Sequence, residues 1–373
     1  MRVLILSSNN GGGHNAAAHA VREVFEAHGD TCRMEDCLSF ISEDVSEAVA
    51  RSHNFMYRHA PKLFARGYRH TQRHPETFKE HHNGRRMLNL GRRNLGRTIR
   101  EGGYDAVICT HVFAALMLTD ACRKYGLQLR TGVVETDYTT SPGAQSGDLD
   151  WHFIPHESLR AELIALGVRP EKIVASGLPV RTVFYTRREK SDARRALGLP
   201  EDGRLLMMMG GSMGAGPMPE LIGALRERMD RDERAFVVCG TNHALRDSLT
   251  AAVGGDVRFR IVGYTDDVPL LMDAADVLMT KPGGISVTEA AVKRLPMVLV
   301  DSVAGCEAYN LDFFVQNGGG ATADTPQALA DLAITLLRDD ARRARMAQAL
   351  DAVARANDRE RIWRTFNPET AGS

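Results

Sequence analysis

A stretch at residues 281–289 combines the residue types that hold a nucleotide. It reads Lys-Pro-Gly-Gly-Ile-Ser-Val-Thr-Glu and follows a short apolar run. Gly283 and Gly284 lack side chains, so backbone N–H groups can approach an anion, and the start of a following helix adds about half a positive charge. A carboxylate at Glu289 repels phosphate but suits the two hydroxyls of a ribose. We therefore predict a nucleotide site here, with an ordinary strand-to-helix loop as the alternative.

A histidine near the start of the chain is the first candidate for a catalytic base. His14 comes directly after three glycines, which include Gly12 and Gly13, where an apolar run gives way to a helical pattern. Imidazole is the side chain best suited to take a proton near neutral pH, and the positive end of a helix should keep it unprotonated. A histidine that only caps the helix is the alternative. Asp137, which follows the apolar run at 132–135, is the second candidate base.

The elements that must position these residues alternate along the chain. Short apolar runs are followed by glycine-rich turns and helical patterns, which predicts two α/β domains, each a doubly wound parallel sheet, facing across a cleft. A linker at 176–180 separates domains at 1–180 and 181–354, and a terminal helix at 355–373 is expected to pack back on the first domain. The predicted strands are 3–6, 106–110, 132–135, 151–155, 172–175, 205–209, 236–239, 257–261, 276–280 and 297–300.

The loops of the second domain should meet at one edge of its sheet, because parallel sheets bind ligands at the carboxyl ends of their strands. Ser286 is the predicted N-cap of a helix at 287–293. Four loops are expected to converge, with 305–310 beside them: 210–216, 240–242, 263–264 and 281–286.

The composition describes a soluble globular protein. The 373 residues are 43% apolar and 25% charged, with a formal net charge of zero, so the overall charge argues neither for nor against a nucleic-acid partner. Six cysteines without a C-x-x-C pair are expected to be reduced, which indicates a cytoplasmic protein without a zinc or disulfide framework. No apolar run is long enough to span a membrane or to form a signal peptide.

Residues 51–100 mix basic and aromatic side chains. Thirteen Lys and Arg stand against two acids, Glu76 and Glu80. This mixture suits an anionic membrane surface, where each basic residue contributes about 1 kcal/mol. A nucleic-acid surface and a plain solvated face are the alternatives. The membrane interpretation takes these side chains as contacts of the acceptor or the membrane: Tyr57, Phe64, Tyr68, Arg85 and Arg86. Gly12 and Gly13, beside His14, are predicted to belong to the same acceptor or membrane set.

Two short patterns bear on metals and cofactors. Asp148-Leu-Asp150 matches the D-x-D with which many sugar transferases hold a metal, but three letters match easily by chance and a strand follows directly, so we interpret it as structural. The first glycine turn is not G-x-G-x-x-G, and no acid is predicted to end a second strand, which argues against NAD. We expect no metal and no tightly bound cofactor.

Taken together, the motifs resemble the monogalactosyldiacylglycerol synthase and processive diacylglycerol glucosyltransferase family, whose members are GT-B glycosyltransferases of family 28. The similarity covers nearly the whole chain, including the glycines before His14 and the motifs at 134–138, 176–180, 281–290 and 305–310. It implies two Rossmann-like domains and inverting transfer of a hexose from UDP-glucose or UDP-galactose to a lipid acceptor, diacylglycerol. It also implies peripheral association with the inner face of the cell membrane, without a nucleic-acid partner.

The resemblance implies roles for individual residues. Glu289 would bind the ribose, Gly263 and Tyr264 the uracil, and Lys281 the departing diphosphate, while His14 would lie beside the acceptor hydroxyl. The remaining residues expected around the diphosphate and the sugar are Gly211, Ser212, Met213, Gly214, Asn242, Gly283, Gly284, Ser286, Glu307 and Asn310.

Departures from the family pattern leave some questions open. Cys306 stands where relatives commonly have glutamine, so the identity of the sugar is open, and Val112 replaces a usual proline at the start of a helix predicted at 112–124. Retaining GT-B enzymes have a glutamate eight residues before the ribose-binding one, and Lys281 at that position favours inversion. The alternatives are a UDP-N-acetylglucosamine transferase to another lipid-linked acceptor, a non-catalytic UDP-sugar-binding protein and a sugar-nucleotide epimerase.

Overall fold

The structure is a computed structural model that describes residues 1–9, 12–60, 82–211, 214, 216–300 and 305–368, together with 63, 66, 67, 70, 71, 74 and 78. It divides into two compact units. Unit 1 is Met1–Thr182 with the chain from Ala356 onward, and unit 2 is Val183–Arg355. Each unit is built on one parallel six-stranded sheet with helices, which confirms the predicted α/β class.

The sheet of unit 1 has the strand order β2-β1-β3-β4-β5-β6. After β1 the chain adds β2 on one side of this strand and then β3 to β6 on the other, so the strand order reverses between β1 and β3. Open α/β sheets bind ligands at such a reversal point. The strands are β1 (Arg2–Ser7), β2 (Thr31–Asp36), β3 (Ala106–Cys109), β4 (Arg130–Val134), β5 (Trp151–Ile154) and β6 (Ile173–Ala175). The helices are α1 (Gly12–Ala27), α2 (Glu43–His59), α3 (Asn83–Leu88), α4 (Arg92–Gly102), α5 (Val112–Tyr125) and α6 (Arg160–Ala165), with short 3-10 helices at Cys37–Phe40, Ala144–Ser146, Glu157–Leu159 and Pro170–Lys172. A further 3-10 helix, Thr182–Tyr185, begins at the last residue of this part of unit 1 and continues into unit 2.

The sheet of unit 2 has the order β12-β11-β10-β7-β8-β9, so its reversal lies between β7 and β10. The strands are β7 (Arg204–Met209), β8 (Glu233–Val238), β9 (Phe259–Val262), β10 (Val277–Thr280), β11 (Met297–Leu299) and β12 (Gly320–Ala321). The helices are α7 (Lys190–Ala196), α8 (Met218–Arg228), α9 (His243–Val253), α10 (Val268–Ala274), α11 (Gly284–Lys293), α12 (Cys306–Gln316), α13 (Pro326–Arg338) and α14 (Asp340–Ala356).

The last described helix, α15 (Arg361–Phe366), belongs to unit 1. Phe366 is fully buried and packs against Phe25 of α1 and Phe153 of β5, and the Trp363 ring stacks on His28 with ring centroids 3.7 Å apart. The apolar side chains of β1 are buried on both faces of the sheet, which is why this strand reads as an unbroken apolar run.

All ten predicted strands are present with small shifts at their ends, and β2 and β12 were missed. One premise drawn from the sequence was therefore wrong, because an acid, Asp36, does end the second strand. Its carboxylate accepts hydrogen bonds from the Leu38 N–H at 3.1 Å, from the Asn9 side-chain amide at 3.1 Å and from the Ser46 hydroxyl. Asp36 thus caps the 3-10 helix that follows β2.

The expectation that Arg85 contacts a membrane was also wrong, because this side chain is 2% exposed. Its guanidinium forms a two-pronged ion pair with Asp120 of α5, at 2.9 and 2.8 Å, and donates to the carbonyls of Phe78 and Ser146. Arg85 therefore fastens α3 and the 144–146 turn to α5 inside unit 1. Its neighbour Arg86 is exposed, and the membrane contact predicted for it stays a prediction.

We expect Arg85→Ala to lower the free energy of unfolding by about 3–5 kcal/mol, because it leaves the Asp120 carboxylate buried without its partner. Arg86→Ala is the matched control and should change stability by no more than about 0.5 kcal/mol. Chemical denaturation of the two variants measures the difference. Equal stabilities would contradict the assigned role of the ion pair.

Candidate active site

The reversal point of unit 2 brings two glycine-containing loops together. One loop follows β7 and contains Gly211, and the other follows β10 and contains Lys281. Gly211 has φ +70°, a backbone conformation that favours glycine, and a Cβ atom there would lie only 2.6 Å from Cε of Lys281, so the lysine side chain runs close to this glycine. The predicted convergence of these two loops is therefore present within unit 2.

The N-cap residues of the helices that follow β7, β10 and β11 provide no side-chain cap. The N-cap positions of α8, α11 and α12 are Pro217, Gly283 and Gly305, and none of them caps its helix through a side chain. The first N–H groups of a helix lack intrahelical partners and carry partial positive charge. Because β7, β10 and β11 are neighbours in a parallel sheet, the loops that lead to these helices leave the same edge of the sheet, and helix N-termini on such an edge suit a diphosphate.

The predicted N-cap of α11 was wrong. The helix begins at Gly284 with Gly283 as its N-cap, so Ser286 is the third helical residue. Gly283 has extended backbone angles (φ −70°, ψ 131°) and offers no side chain to the N–H groups of the first turn. The N-cap residue therefore does not itself occupy these groups.

The polar residues predicted around this helix end occupy the same part of unit 2. Glu289 lies half-buried on α11, and Ser286 is half-buried one turn before it. The Nζ atom of Lys281 lies 2.6 Å from Oε1 of Glu307 in the first turn of α12. The side-chain amide of the fully buried Asn310 donates to the carbonyl of Pro282 at 2.9 Å, which fastens α12 to the loop after β10.

Further predicted donor residues lie on the loops after β8 and β9. Asn242 caps α9 by accepting a hydrogen bond from the Leu245 N–H at 3.0 Å. Its side-chain amide lies 3.4 Å from the carbonyl oxygen of Gly214, so it also links the loop after β8 to the loop after β7. Gly263 is half-buried, and the neighbouring Tyr264 is 66% exposed, with its hydroxyl donating to Asp266 at 3.0 Å. Three strand spacings separate β10 from β9, about 15 Å, comparable to the length of a nucleoside diphosphate.

Several predicted residues lie outside the described part of the chain. These are Ser212 and Met213 in the loop after β7, and Phe64 and Tyr68 in the basic segment. Tyr57 lies on α2, but its side chain is also outside the described set.

The reversal point of unit 1 holds His14, in the first turn of α1. Its Nδ1 atom lies 2.8 Å from the carbonyl oxygen of Thr110, directly after β3, and 3.1 Å from the hydroxyl of Thr136, in the loop after β4. A carbonyl only accepts, so neutral His14 carries its proton on Nδ1 and its lone pair on Nε2. The fold thereby fixes the tautomer that can act as a base through Nε2.

Electrostatics keep this histidine unprotonated at neutral pH. Burial lowers the pKa of His14 below its ordinary value of 6.5; the Thr110 carbonyl opposes the shift and His53 adds to it. Desolvation is the largest of these contributions, and the sequence argument, which relied on the helix end, did not include it. Burial also holds the pKa of the adjacent His111 well below 6.5, and the two rings meet edge to face with centroids 4.5 Å apart.

A buried polar cluster beside His14 was not singled out from the sequence. Glu135 is 3% exposed and lies between His152, whose Nε2 is 2.8 Å from its Oε1, and Ser141, whose hydroxyl donates to its Oε2 at 2.5 Å. The available signal was its place directly after an apolar strand. Asp137, the second candidate base, is half-buried in the same loop.

A cavity of about 80 Å³ lies within unit 1 next to this cluster. Polar walls are provided by His111, Glu135 and His152, and apolar walls by residues such as Leu116 and Val168. The cavity thus has a polar side and an apolar side.

The carboxylates of the D-x-D pattern are used within unit 1. Asp150 accepts from the backbone N–H of Thr131 at 2.8 Å and from its hydroxyl at 2.9 Å, and Asp148 pairs with Lys172 at 2.7 Å. Both contacts favour the structural interpretation of this motif. In the part of the chain that the structure describes, no group of three or more His, Cys, Asp or Glu residues could hold a metal ion.

Exposed apolar and basic side chains lie together around α3 and α4. Met87 and Leu90 are 46% and 68% exposed, and Arg86, Arg93 and Arg97 are also exposed. We call these five residues the basic-apolar patch. None of the helices within the described ranges has the length and apolar character needed to cross a membrane.

Two family models match consecutive parts of the chain. The model of monogalactosyldiacylglycerol (MGDG) synthase matches residues 14–180, and that of glycosyl transferases group 1 matches residues 189–351. The first match begins at His14 and covers most of unit 1, and the second lies within unit 2. The recognition made from the sequence motifs is therefore confirmed.

Individual relatives agree with these matches. The chain is 25% identical to a processive diacylglycerol beta-glucosyltransferase of Bacillus subtilis, over 97% of this chain and 93% of the relative. It is 28% identical to the chloroplastic monogalactosyldiacylglycerol synthase of Spinacia oleracea, over 88% of this chain and 65% of the relative. Among solved structures, the superposition on MurG of Acinetobacter baumannii includes 99% of each chain, with a TM-score of 0.63 and 15% identity. The superposition on Anabaena Alr3699/HepE in complex with UDP-glucose includes 100% of each chain, with a TM-score of 0.60 and 16% identity. These two likenesses confirm the GT-B fold.

Proposed function

We propose that this chain transfers a hexose from a UDP-sugar to the free hydroxyl of diacylglycerol. The proposal is supported by the match of residues 14–180 to the monogalactosyldiacylglycerol synthase model and by the similarity to a processive diacylglycerol beta-glucosyltransferase. The donor is UDP-glucose or UDP-galactose, and the transfer inverts the anomeric carbon. The observation that carries the proposal is the meeting of three segments around Lys281 at the reversal point of unit 2: the loop at Gly211, the start of α11 at Gly283 and the first turn of α12 at Glu307.

The donor is held by unit 2. The helix ends and Lys281 bind the diphosphate, Glu289 accepts hydrogen bonds from the ribose hydroxyls, and the loop at Gly263 and Tyr264 receives the uracil. Glu307 faces the same site from α12 and accepts hydrogen bonds from the sugar hydroxyls. This assignment needs no metal, because helix ends and a lysine neutralise the charge of the diphosphate.

The acceptor is held by unit 1, beside His14. The lipid hydroxyl attacks C1 of the sugar, the new O–C1 bond forms as the C1–O bond to the diphosphate breaks, and the hydroxyl proton passes to Nε2 of His14. UDP leaves with the electron pair of the broken bond, and Lys281 stabilises its negative charge. The Thr110 carbonyl orients the imidazole throughout by accepting the Nδ1 proton.

Product identification tests this proposal. The protein is incubated with UDP-glucose, UDP-galactose or UDP-N-acetylglucosamine over vesicles that contain diacylglycerol, and the lipids are analysed by mass spectrometry. We expect hexosyl-diacylglycerol from one of the two UDP-hexoses and no product from vesicles without diacylglycerol. A product that contains N-acetylhexosamine, or no glycolipid from any donor, would contradict the proposal.

We further propose that the basic-apolar patch binds an anionic membrane surface. Met87 and Leu90 provide apolar area, and the three arginines provide charge beside it. Each arginine near an anionic surface contributes about 1 kcal/mol, so replacing Arg86, Arg93 and Arg97 with glutamine should weaken binding to phosphatidylglycerol vesicles roughly 100-fold at low salt.

Vesicle sedimentation measures this effect. Arg345→Gln on α14 of unit 2 is the control, because this exposed arginine lies outside the patch. Binding should weaken as salt is added and should be absent with phosphatidylcholine alone. If the triple variant binds phosphatidylglycerol vesicles as strongly as the wild type does, the basic-apolar patch is not the membrane contact.

A further inference from the structure

Glu135 closes the loop that follows β4 in unit 1. Its Oε1 atom lies 2.8 Å from Nε2 of His152 on β5, and because a carboxylate only accepts, His152 carries a proton on Nε2. Its Oε2 atom accepts from the hydroxyl of Ser141 at 2.5 Å and from the backbone N–H of Ser141 at 3.3 Å. One buried side chain therefore ties the start of this loop to its end and to the neighbouring strand.

The same loop provides one of two acceptors for the His14 ring. The first acceptor is the carbonyl of Thr110, directly after β3, and the Thr110 hydroxyl in turn donates to the His14 carbonyl at 3.1 Å. The second is the hydroxyl oxygen of Thr136, 3.1 Å from Nδ1. Two acceptors on different segments restrict rotation of the imidazole more than one does, and the ring then presents Nε2 in one direction.

The position of Thr136 depends on side-chain contacts rather than on the sheet. The backbone N–H of Glu135 still pairs with the carbonyl of Phe153 on β5 at 2.9 Å, but residues 136–140 lie in neither a helix nor a strand. Near the end of the loop, the hydroxyl of Thr140 donates to Glu162 on α6. At the start of the loop, beside Thr136, the carboxylate of Glu135 makes the corresponding contact.

We propose that Glu135 is a positioning residue of the transfer reaction, which holds the loop after β4 so that Thr136 keeps Nε2 of His14 directed at the acceptor hydroxyl. Glu135 does not itself act as the base, because both of its oxygens accept hydrogen bonds within unit 1 and the residue is 3% exposed. This inference rests on the proposed function and deepens it, because it names the group that sets the geometry of the base.

Glu135→Ala is expected to lower kcat by about 10- to 100-fold, the effect of a small misplacement of a catalytic group. KM for the UDP-sugar should stay at its wild-type value, because the residues proposed to bind the donor lie in unit 2. Burial lowers the pKa of His14 and the charge of Glu135 opposes that shift, so removing the charge leaves the base unprotonated at neutral pH. The loss of rate would therefore reflect geometry.

Glu171→Ala is the matched control, because Glu171 is an exposed glutamate of unit 1 that pairs with Arg169. It should leave both kcat and KM unchanged. Thermal melting verifies that each variant is folded. If Glu135→Ala is unfolded, Ser141→Ala replaces it in every comparison, because this change keeps the carboxylate and removes one of the hydrogen bonds that close the loop.

Thr136→Val tests the contact through which Glu135 is proposed to act. This change removes the hydroxyl and keeps the branched shape, so kcat should fall by a similar factor, whereas Thr136→Ser keeps the hydroxyl and should keep a rate close to that of the wild type. The double variant Glu135→Ala/Thr136→Val should be no slower than the slower single variant. In a His14→Ala background, Glu135→Ala should cause no further loss, because there is no base left to position.

Initial rates of glycolipid formation measure all of these effects. If the losses of Glu135→Ala and Thr136→Val multiply in the double variant, or if Glu135→Ala slows His14→Ala further, Glu135 does not act through the base and the inference is refuted while the proposed transferase stands. A folded Glu135→Ala variant with wild-type kcat refutes it as well. If the wild type forms no glycolipid, the proposed function itself fails.

Discussion

Replacing His14 with alanine is expected to lower turnover by about 10²- to 10⁴-fold, the range that a general base contributes. The affinity for UDP should hardly change, because the residues proposed to bind the donor lie in unit 2 and His14 lies in unit 1. The Thr110 carbonyl leaves Nε2 of His14 with the lone pair, and the lowered pKa keeps it unprotonated at neutral pH. Initial rates of glycolipid formation and UDP calorimetry measure the two effects separately.

The pH dependence provides an independent readout. Because the pKa of His14 lies below 6.5, its base form persists as the pH falls through 6.5 and is lost only at lower pH. The acidic limb of kcat should therefore lie below 6.5 and should disappear in His14→Ala. His19→Ala on the exposed face of the same helix should keep both the rate and the limb. Unaltered turnover in His14→Ala would move the role of base to Asp137.

Replacing Glu289 with alanine is expected to weaken UDP binding by about 10- to 100-fold, the effect of losing hydrogen bonds from hydroxyls to a carboxylate. Glu289 lies on α11, whose first turn is proposed to hold the diphosphate, so the ribose of the same ligand lies within reach of this helix. The rate at saturating donor should fall less than the affinity, since the ribose contact is similar in the ground state and the transition state.

Glu227→Ala is the matched control for this variant. Glu227 is an exposed glutamate of α8, outside the proposed donor site, and its removal should leave UDP affinity unchanged. If calorimetry gives Glu289→Ala the same affinity for UDP as the wild type, Glu289 does not bind the ribose. The assignment of residues 281–289 as the nucleotide site would then be contradicted.

The strands that were predicted and those that were missed differ in their burial. β1, β3 and β10 are buried throughout their apolar residues, and a continuous apolar run is visible in sequence. β2 lies at the edge of its sheet, is only partly buried and contains Arg33, Glu35 and Asp36, so no such run exists. β12 is an edge strand of two residues, too short to leave a pattern.

Within the sites, local chemistry was predictable and long-range partners were not. The two glycines at 283 and 284 indicated an anion site. Residue preferences for the N-cap position favoured Ser286, whereas the helix begins two residues earlier with Gly283 as its N-cap. Such preferences do not include the conformation of the backbone after Pro282, which decides where the helix starts. The partners of His14, Thr110 and Thr136, come from strands far along the chain. Composition likewise could not reveal that Arg85 is buried, since its partner Asp120 lies on another helix.

The ratio of UDP released to sugar recovered in lipid tests the central claim most directly. With the preferred UDP-hexose and diacylglycerol vesicles, we predict one UDP for each hexose attached to lipid, and negligible UDP release when diacylglycerol is omitted. Binding of the UDP-sugar without release of UDP, release of UDP without a glycolipid, or interconversion of free UDP-sugars would contradict a lipid glycosyltransferase.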